Sequence, residues 1–165
     1  MNYFELFGLP IGFQVDAAKL RQAYMELQRT SHPDKFTQSN LEEQETALEK
    51  SAIANKAFTL LNNKELILPY LLEVMGYMEA DEKYALSPDF LMEMMDLNEA
   101  WMDADTDTDK HTVTEQVKTI QNAIYTPVKA ILEGNSIDIT KEAMLQVKEY
   151  YYKKKYLDRI LADFR

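Results

Sequence analysis

The chain has 165 residues, and among them there are no cysteines, two histidines and four glycines. Without cysteine it can form no disulfide, and it cannot hold a metal or an iron–sulfur cluster by thiolates. The two histidines, His32 and His111, are too few to suggest a metalloenzyme. Because glycine and alternating β-branched residues are both scarce, we expect an all-helical protein with no metal site and no cofactor.

Basic residues and long apolar runs are also in short supply. The 18 lysines and arginines are outnumbered by 28 acids, which leaves a formal net charge of −10. That balance argues against nucleic-acid binding, which needs a basic footprint. No apolar run reaches the roughly 20 residues that span a bilayer, and the N-terminal stretch lacks the pattern of a signal peptide. We therefore expect neither a nucleic acid nor a membrane among the partners.

The first half of the chain predicts two antiparallel helices. Asp16 is a candidate N-cap for the first, whose apolar stripe is formed by Leu20, Ala23, Tyr24 and Leu27. The opposite face, which we expect to be exposed, carries Arg21, Gln22, Met25, Gln28 and Arg29. Ser39 or Asn40, each with a glutamate three residues later, can cap the second helix. We expect that helix to bury Ala47, Ala54, Ala57, Phe58 and Leu61, with Leu48 and Ile53 flanking them.

His32-Pro33-Asp34 lies between these two helices. A residue before proline is driven out of the α region, so the first helix should end near Ser31. An imidazole and a carboxylate should then project from a rigid, exposed loop. The next segment, from Leu66 to Gly76, predicts a further helix with a cap at Asn62 and a kink or a restart at Pro69.

A helix from about Pro88 to Ala104, capped by Ser87 or Asp89, has two apolar stripes. One stripe is an ordinary core face and consists of Phe90, Met94, Leu97 and Trp101. The other lies about 120° away on the helical wheel and consists of Leu91, Met95 and Met102, beside Met92 and a row of acids. Either the helix is buried on a wide front, or the second stripe binds a partner.

Four aspartates at alternate positions follow, from Asp103 to Asp109. An EF-hand loop would need glycine where Thr108 stands and glutamate where Thr114 stands, so we predict an acidic loop without calcium. A helix from Thr112 to Glu133 should kink at Pro127 and end at Gly134-Asn135. The last helix, about Thr140 to Asp163, should bury one face made of Ala143, Val147, Tyr150, Leu157, Leu161 and Phe164. Residues 79–109 hold eleven acids and one lysine, and residues 141–159 hold six bases, so we expect these segments to attract each other.

Several short motifs resemble the J-domain family. They are the stretch His-Pro-Asp-Lys-Phe from His32 to Phe36, which follows an amphipathic helix with basic exposed positions, and the run from Asn55 to Leu61 in the next helix. The similarity is greater to one subgroup, the HscB-type co-chaperones of iron–sulfur cluster assembly, through Met1–Pro10, Leu27-Gln28-Arg29, His32–Phe36, Tyr70-Leu71-Leu72, Phe90–Glu93 and Tyr156-Leu157-Asp158. Two residues depart from the pattern: Ser31 stands where many J-domains have an aromatic, and Pro69 stands where an ordinary helix former is expected.

The resemblance implies a fold and a function. The fold would be all-α, with a J-domain at residues 1–76, a connector at 77–87 and a C-terminal three-helix bundle at 88–165, arranged in an L. The protein would be a co-chaperone of the bacterial cytoplasm, a monomer or weak dimer, without enzymatic activity of its own. Its partners would be an ATPase chaperone of the HscA/DnaK class and an iron–sulfur scaffold of the IscU type.

The resemblance also implies which residues bind. Asp34 would pair with an arginine of the ATPase, while His32 and Pro33 hold the loop geometry. Positive charge for an acidic partner surface would come from Arg21, Arg29 and Lys35. The scaffold would be held on the C-terminal bundle by Leu91, Met92, Met95, Asp96, Glu99, Asp103 and Tyr156.

Alternatives remain open from the sequence. A general J-domain co-chaperone with a different client would carry the same loop, and the basic face of the first helix could be a merely solvated face. A His/Asp hydrolase is the other class, but Ser31 directly precedes His32, sequence neighbours rarely form a triad, and no oxyanion loop is evident. We therefore expect no catalytic residue.

Overall fold

The computed structural model describes residues 1–134 and 139–164. Within them the chain divides into two compact units, Met1–Val74 and a second unit that starts at Met75. The described residues contain helices and turns and no strand, so the prediction of an all-α fold is confirmed. None of the described helices is long and apolar enough to cross a membrane.

The first unit is built from four helices and one 3₁₀ turn. These are α1 (Tyr3–Leu6), α2 (Ala17–Ser31), the 3₁₀ turn Pro33–Phe36, α3 (Leu41–Leu61) and α4 (Lys64–Val74). Side chains cap the helices as local chemistry predicts: Asp16 accepts from the backbone of α2 and Asn40 accepts from the Glu43 N–H. The α2–α3 hairpin closes over small residues, since Ala47, Ser51, Ala54 and Ala57 of α3 are all buried.

Several predictions for this unit were wrong. Leu48 and Ile53 do not flank the core, because they are 60% and 47% exposed. The cap of α4 is Asn63, whose Oδ1 accepts from the Glu65 N–H, and Asn62 instead ends α3. Pro69 lies inside α4, which runs from Lys64 to Val74, so of the two predicted effects of this proline the restart does not occur. Gln28 is half-buried and faces α3, although the wheel placed it on the exposed side.

The second unit contains α5 (Pro88–Asp103), α6 (Asp107–Tyr125), a 3₁₀ turn Thr126–Val128, α7 (Lys129–Glu133) and α8 (Lys141–Ala162). Ser87 caps α5 and Thr140 caps α8 through their hydroxyls. The 3₁₀ turn interrupts the helix at Pro127, as predicted. The expected end at Gly134-Asn135 is observed at Gly134, while Asn135 lies outside the described residues.

The start of α6 was predicted wrongly. The helix begins at Asp107 rather than at Thr112, because the Thr106 hydroxyl accepts from the Asp109 N–H. Asp107 and Asp109 lie in the first turn, where carboxylates interact favourably with the helix dipole. The aspartates predicted as one loop therefore belong largely to helices.

The core of the second unit lies between α5, α6 and α8. Its buried members include Phe90, Met94, Leu97, Val113, Val117, Ile120 and Leu157. The predicted α8 stripe is confirmed at Val147, Tyr150 and Leu157, but it omitted Met144, which is fully buried.

The segment before α5 is joined to α8 by an ion pair, a hydrogen bond and an aromatic stack. Lys148 Nζ lies 2.7 Å from Glu82 Oε1, the Tyr152 hydroxyl donates to Glu82 Oε2 at 3.1 Å, and the Tyr84 and Tyr152 rings stack at 4.6 Å. This ion pair joins the acidic segment to the basic one at Glu82 and Lys148.

Candidate functional site

The His-Pro-Asp turn is held by short-range hydrogen bonds. His32 has an extended backbone (φ −64°, ψ 135°), which ends α2 before Pro33 begins the 3₁₀ turn. The His32 N–H donates to the Gln28 carbonyl at 2.9 Å, and the Asp34 N–H donates to His32 Nδ1 at 3.2 Å. This bond requires a lone pair on Nδ1, so the proton of the neutral imidazole lies on Nε2.

The two side chains of the turn face solvent. The Asp34 side chain is 88% exposed and that of His32 is 48% exposed, with Asp34 Oδ2 at 3.6 Å from His32 Nδ1. The predicted exposure of the imidazole and carboxylate is confirmed. A carboxylate that is fixed at its backbone and hydrated at its oxygens can pair with a cation that approaches from outside.

The far side of the turn is tied to α3. Gln44 Nε2 donates to the carbonyls of Thr37 at 3.2 Å and Ser39 at 2.9 Å, so a single α3 side chain satisfies two loop acceptors. Beside the turn lies an open pocket of about 400 Å³ whose lining includes Ser31, Phe36 and Ala47. The Ser31 side chain is buried at one side of it.

The predicted basic residues are all exposed, but they are not equivalent. Arg21, Arg29 and His32 share a shallow depression of about 770 Å³ along α2, and Lys35 lies on the 3₁₀ turn. Arg29 is paired with Glu26, and this hydrogen bond raises the pKa of the guanidinium further. Its charge is therefore partly balanced within the chain, a feature that the sequence pattern did not predict.

The second apolar stripe of α5 is exposed. Met92 is 63%, Met95 62% and Met102 73% exposed, while Leu91 is half-buried. Three acids of the same helix, Asp96, Glu99 and Asp103, are exposed as well. We name the α5 ridge as Leu91, Met92, Met95, Asp96, Glu99, Asp103 and Met102. Of the two explanations for the double stripe, burial on a wide front is thus wrong for the three methionines.

Tyr156 differs from these methionines in its burial and in its contacts. It is half-buried, packs against the core of the second unit, and meets the Phe90 ring edge to face at 6.2 Å. Phe90 directly precedes Leu91, so Tyr156 supports α5 from its core face.

Sequence reasoning missed a polar cluster between α2 and α3. Tyr24 and Gln28 of α2 hydrogen-bond with Ser51 and Asn55 of α3. A signal was present, since each pair is spaced by four residues and therefore lies on one helix face. No group of three or more potential metal ligands occurs among residues 1–134 and 139–164.

Comparison with known proteins supports one family throughout the chain. Residues 86–165 match the family model described as the HSCB C-terminal oligomerisation domain. The co-chaperone protein HscB homolog of Psychromonas ingrahamii is 33% identical over 152 residues, which are 90% of this chain and 89% of that protein. The homolog of Vibrio atlanticus is 30% identical over 161 residues, or 97% and 92% of the two chains.

Two solved structures support the same family. The crystal structure of human co-chaperone protein HscB matches 99% of this chain and 80% of its own, with a TM-score of 0.70 and 28% identity. The chaperone HscB from Vibrio cholerae matches over the whole of both chains, with a TM-score of 0.57 and 27% identity. The chain therefore belongs to the HscB family of co-chaperones.

Proposed function

We propose that this co-chaperone binds an IscU-type iron–sulfur scaffold on the α5 ridge and presents it to an ATPase chaperone of the HscA/DnaK class. The His-Pro-Asp turn then stimulates ATP hydrolysis by that chaperone. The observation that carries the proposal is the turn itself, where a carboxylate that is 88% exposed is fixed at its backbone by His32.

The turn acts by docking. Asp34 pairs with an arginine of the ATPase, and Pro33 with His32 keeps the carboxylate at one angle to the helix hairpin. Arg21, Arg29 and Lys35 steer an acidic surface of the ATPase toward the turn, which affects the association rate and orientation more than the affinity. All bond breaking takes place in the ATPase, and this chain supplies no catalytic group and no cofactor.

The α5 ridge binds the cargo. Flexible methionine side chains adapt to an apolar surface, and Asp96, Glu99 and Asp103 favour a basic rim on the scaffold. One chain that holds both partners raises the local concentration of scaffold at the ATPase. We place this activity in the bacterial cytoplasm, with the chain acting as a monomer or weak dimer.

The test is a single-turnover ATPase assay with the chaperone partner, with and without this protein. Asp34→Asn keeps the shape of the side chain but removes its charge, and we expect stimulation to fall about tenfold or more. Asp105→Asn, which changes an exposed acid outside the turn and the ridge, is the matched control and should stimulate like the wild type. Full stimulation by Asp34→Asn would show that the turn does not act in this way.

A further inference from the structure

Four polar side chains bridge α2 and α3 close to the His-Pro-Asp turn. The Ser51 hydroxyl donates to Gln28 Oε1 at 2.9 Å, Gln28 Nε2 donates to Asn55 Oδ1 at 3.0 Å, and the Tyr24 hydroxyl donates to the same Asn55 oxygen at 2.5 Å. Gln28 Nε2 also lies 3.4 Å from the Ser51 carbonyl oxygen. We call this cluster, Tyr24, Gln28, Ser51 and Asn55, the polar seam.

The polar seam is connected to Asp34 without interruption. The Gln28 side chain is bound to α3, and its backbone carbonyl accepts the His32 N–H at 2.9 Å. His32 Nδ1 in turn accepts the Asp34 N–H at 3.2 Å. A displacement of Gln28 relative to α3 is therefore transmitted through two hydrogen bonds to the residue that carries the carboxylate.

Between the seam and the turn, the buried side chains of α3 are small. Ala47 and Ser51 are buried there, and Ser31 and Ala47 border an open pocket of about 400 Å³. At the end of the seam farther from the turn, Tyr24 stacks on Phe58 with the ring centroids 4.3 Å apart. Hydrogen bonds depend on direction and distance, so those of Gln28 define the place of α2 against α3 at the end nearer the turn, where the buried α3 side chains are small.

We propose that Gln28 is a positioning residue for the His-Pro-Asp turn: by binding Ser51 and Asn55 it sets the place from which Asp34 meets the ATPase. This inference rests on the proposed function of the turn. It assigns Gln28 no contact with the ATPase and gives it an effect only through His32 and Asp34.

The experiment compares three proteins with the wild type. Gln28→Met keeps the length of the side chain but removes its hydrogen bonds, leaving the buried Ser51 hydroxyl without its acceptor. The double variant Gln28→Met/Ser51→Ala removes both partners of this hydrogen bond, so no buried hydroxyl is left unpaired. We expect it to recover much of the thermal stability that Gln28→Met loses. Gln146→Met, a change of an exposed glutamine on α8, is the control.

We expect the maximal ATPase stimulation to fall about tenfold in both Gln28 variants, because small misplacements of an acting group have large effects on rate. The amide resonances of His32 and Asp34 should shift in both variants, well below the unfolding temperature. Scaffold binding in a calorimetric titration should be unchanged. Gln146→Met should match the wild type in all three measurements.

Two results would overturn the inference. If stimulation returned to the wild-type level in the double variant as its thermal stability returned, Gln28 would matter only for folding. If the single variant Gln28→Met stimulated the ATPase as strongly as the wild type, the seam would not position the turn. Failure of the proposed function looks different, because then the wild type itself would not stimulate the ATPase.

Discussion

The exposed methionines of the α5 ridge give the most quantitative prediction. Met92 and Met95 are 63% and 62% exposed, so nearly two-thirds of each side chain is available to a partner. Full burial of a methionine side chain stabilises by about 1.5–3 kcal/mol, so two residues at this exposure can contribute roughly 2–4 kcal/mol to binding. Met92→Ala/Met95→Ala should therefore weaken scaffold binding by roughly thirtyfold or more.

The same double change should leave the fold nearly intact. Met94, which lies between the two in sequence, is fully buried, whereas the mutated side chains contact the core little. Exposed substitutions of this kind alter the free energy of unfolding by only about 0.5 kcal/mol. By contrast, Met94→Ala should cost about 2–5 kcal/mol by leaving a cavity.

The assay is an isothermal titration of an IscU-type scaffold into each protein, together with a thermal unfolding scan. Met25→Ala is the matched control, because Met25 is also 62% exposed but lies on α2 in the other unit. We expect the control to bind like the wild type. Unchanged affinity in the ridge variant would refute the assignment of this surface. If the wild type stimulates the ATPase yet binds no scaffold, the general co-chaperone with another client is the better interpretation.

Two predictions concern stability and pH. The pKa of Glu82 is lowered from 4.5 because Lys148 and Tyr152 donate hydrogen bonds to its carboxylate. The ionised carboxylate therefore stabilises the fold above about pH 4.5, and this stabilisation is lost as the pH falls through the lowered pKa. Glu82→Gln should lower the unfolding temperature at pH 7, and the difference from the wild type should shrink as the pH falls below 4.5. A difference that stays constant from pH 7 into acid would contradict this. Burial and a 2.8 Å hydrogen bond to Glu133 raise the pKa of Tyr125 from its ordinary value of 10.0 to about 12. The neutral phenol therefore stabilises the fold fully below pH 10, and this stabilisation is lost as the pH rises toward 12. Tyr125→Phe should therefore show a shallower loss of stability in alkaline unfolding scans, and an equally steep loss would rule out this contribution.

Local chemistry made much of the fold predictable. Caps such as Asp16 and Ser87 act within three residues of their own position, and Pro33 restricts the residue before it, so their effects can be derived without knowing the fold. The exposed turn and the second stripe of α5 followed from the same short-range rules. The family motifs extended these predictions to partners, because the similarity covers most of the chain.

The wrong predictions share a different origin. A helical wheel locates an apolar stripe, but residues at its edge turn inward or outward according to the helix packed against them. Thus Gln28 is half-buried because its side chain hydrogen-bonds to Ser51 and Asn55 of α3. Leu48 is exposed because no described helix packs over it. Asn63 rather than Asn62 caps α4, since the choice between adjacent asparagines depends on where α3 ends.

The amino-acid sequence by itself determined most of the helices, the exposed turn and the double stripe of α5, because each depends on residues close together in the chain. The tertiary structure decided that the methionines of the second stripe are exposed. Only the tertiary structure decided how that turn is held, since Gln28 and Ser51 are 23 positions apart and meet at 2.9 Å only when α2 and α3 pack. Hydrogen bonds between distant residues depend on a geometry that no local pattern contains.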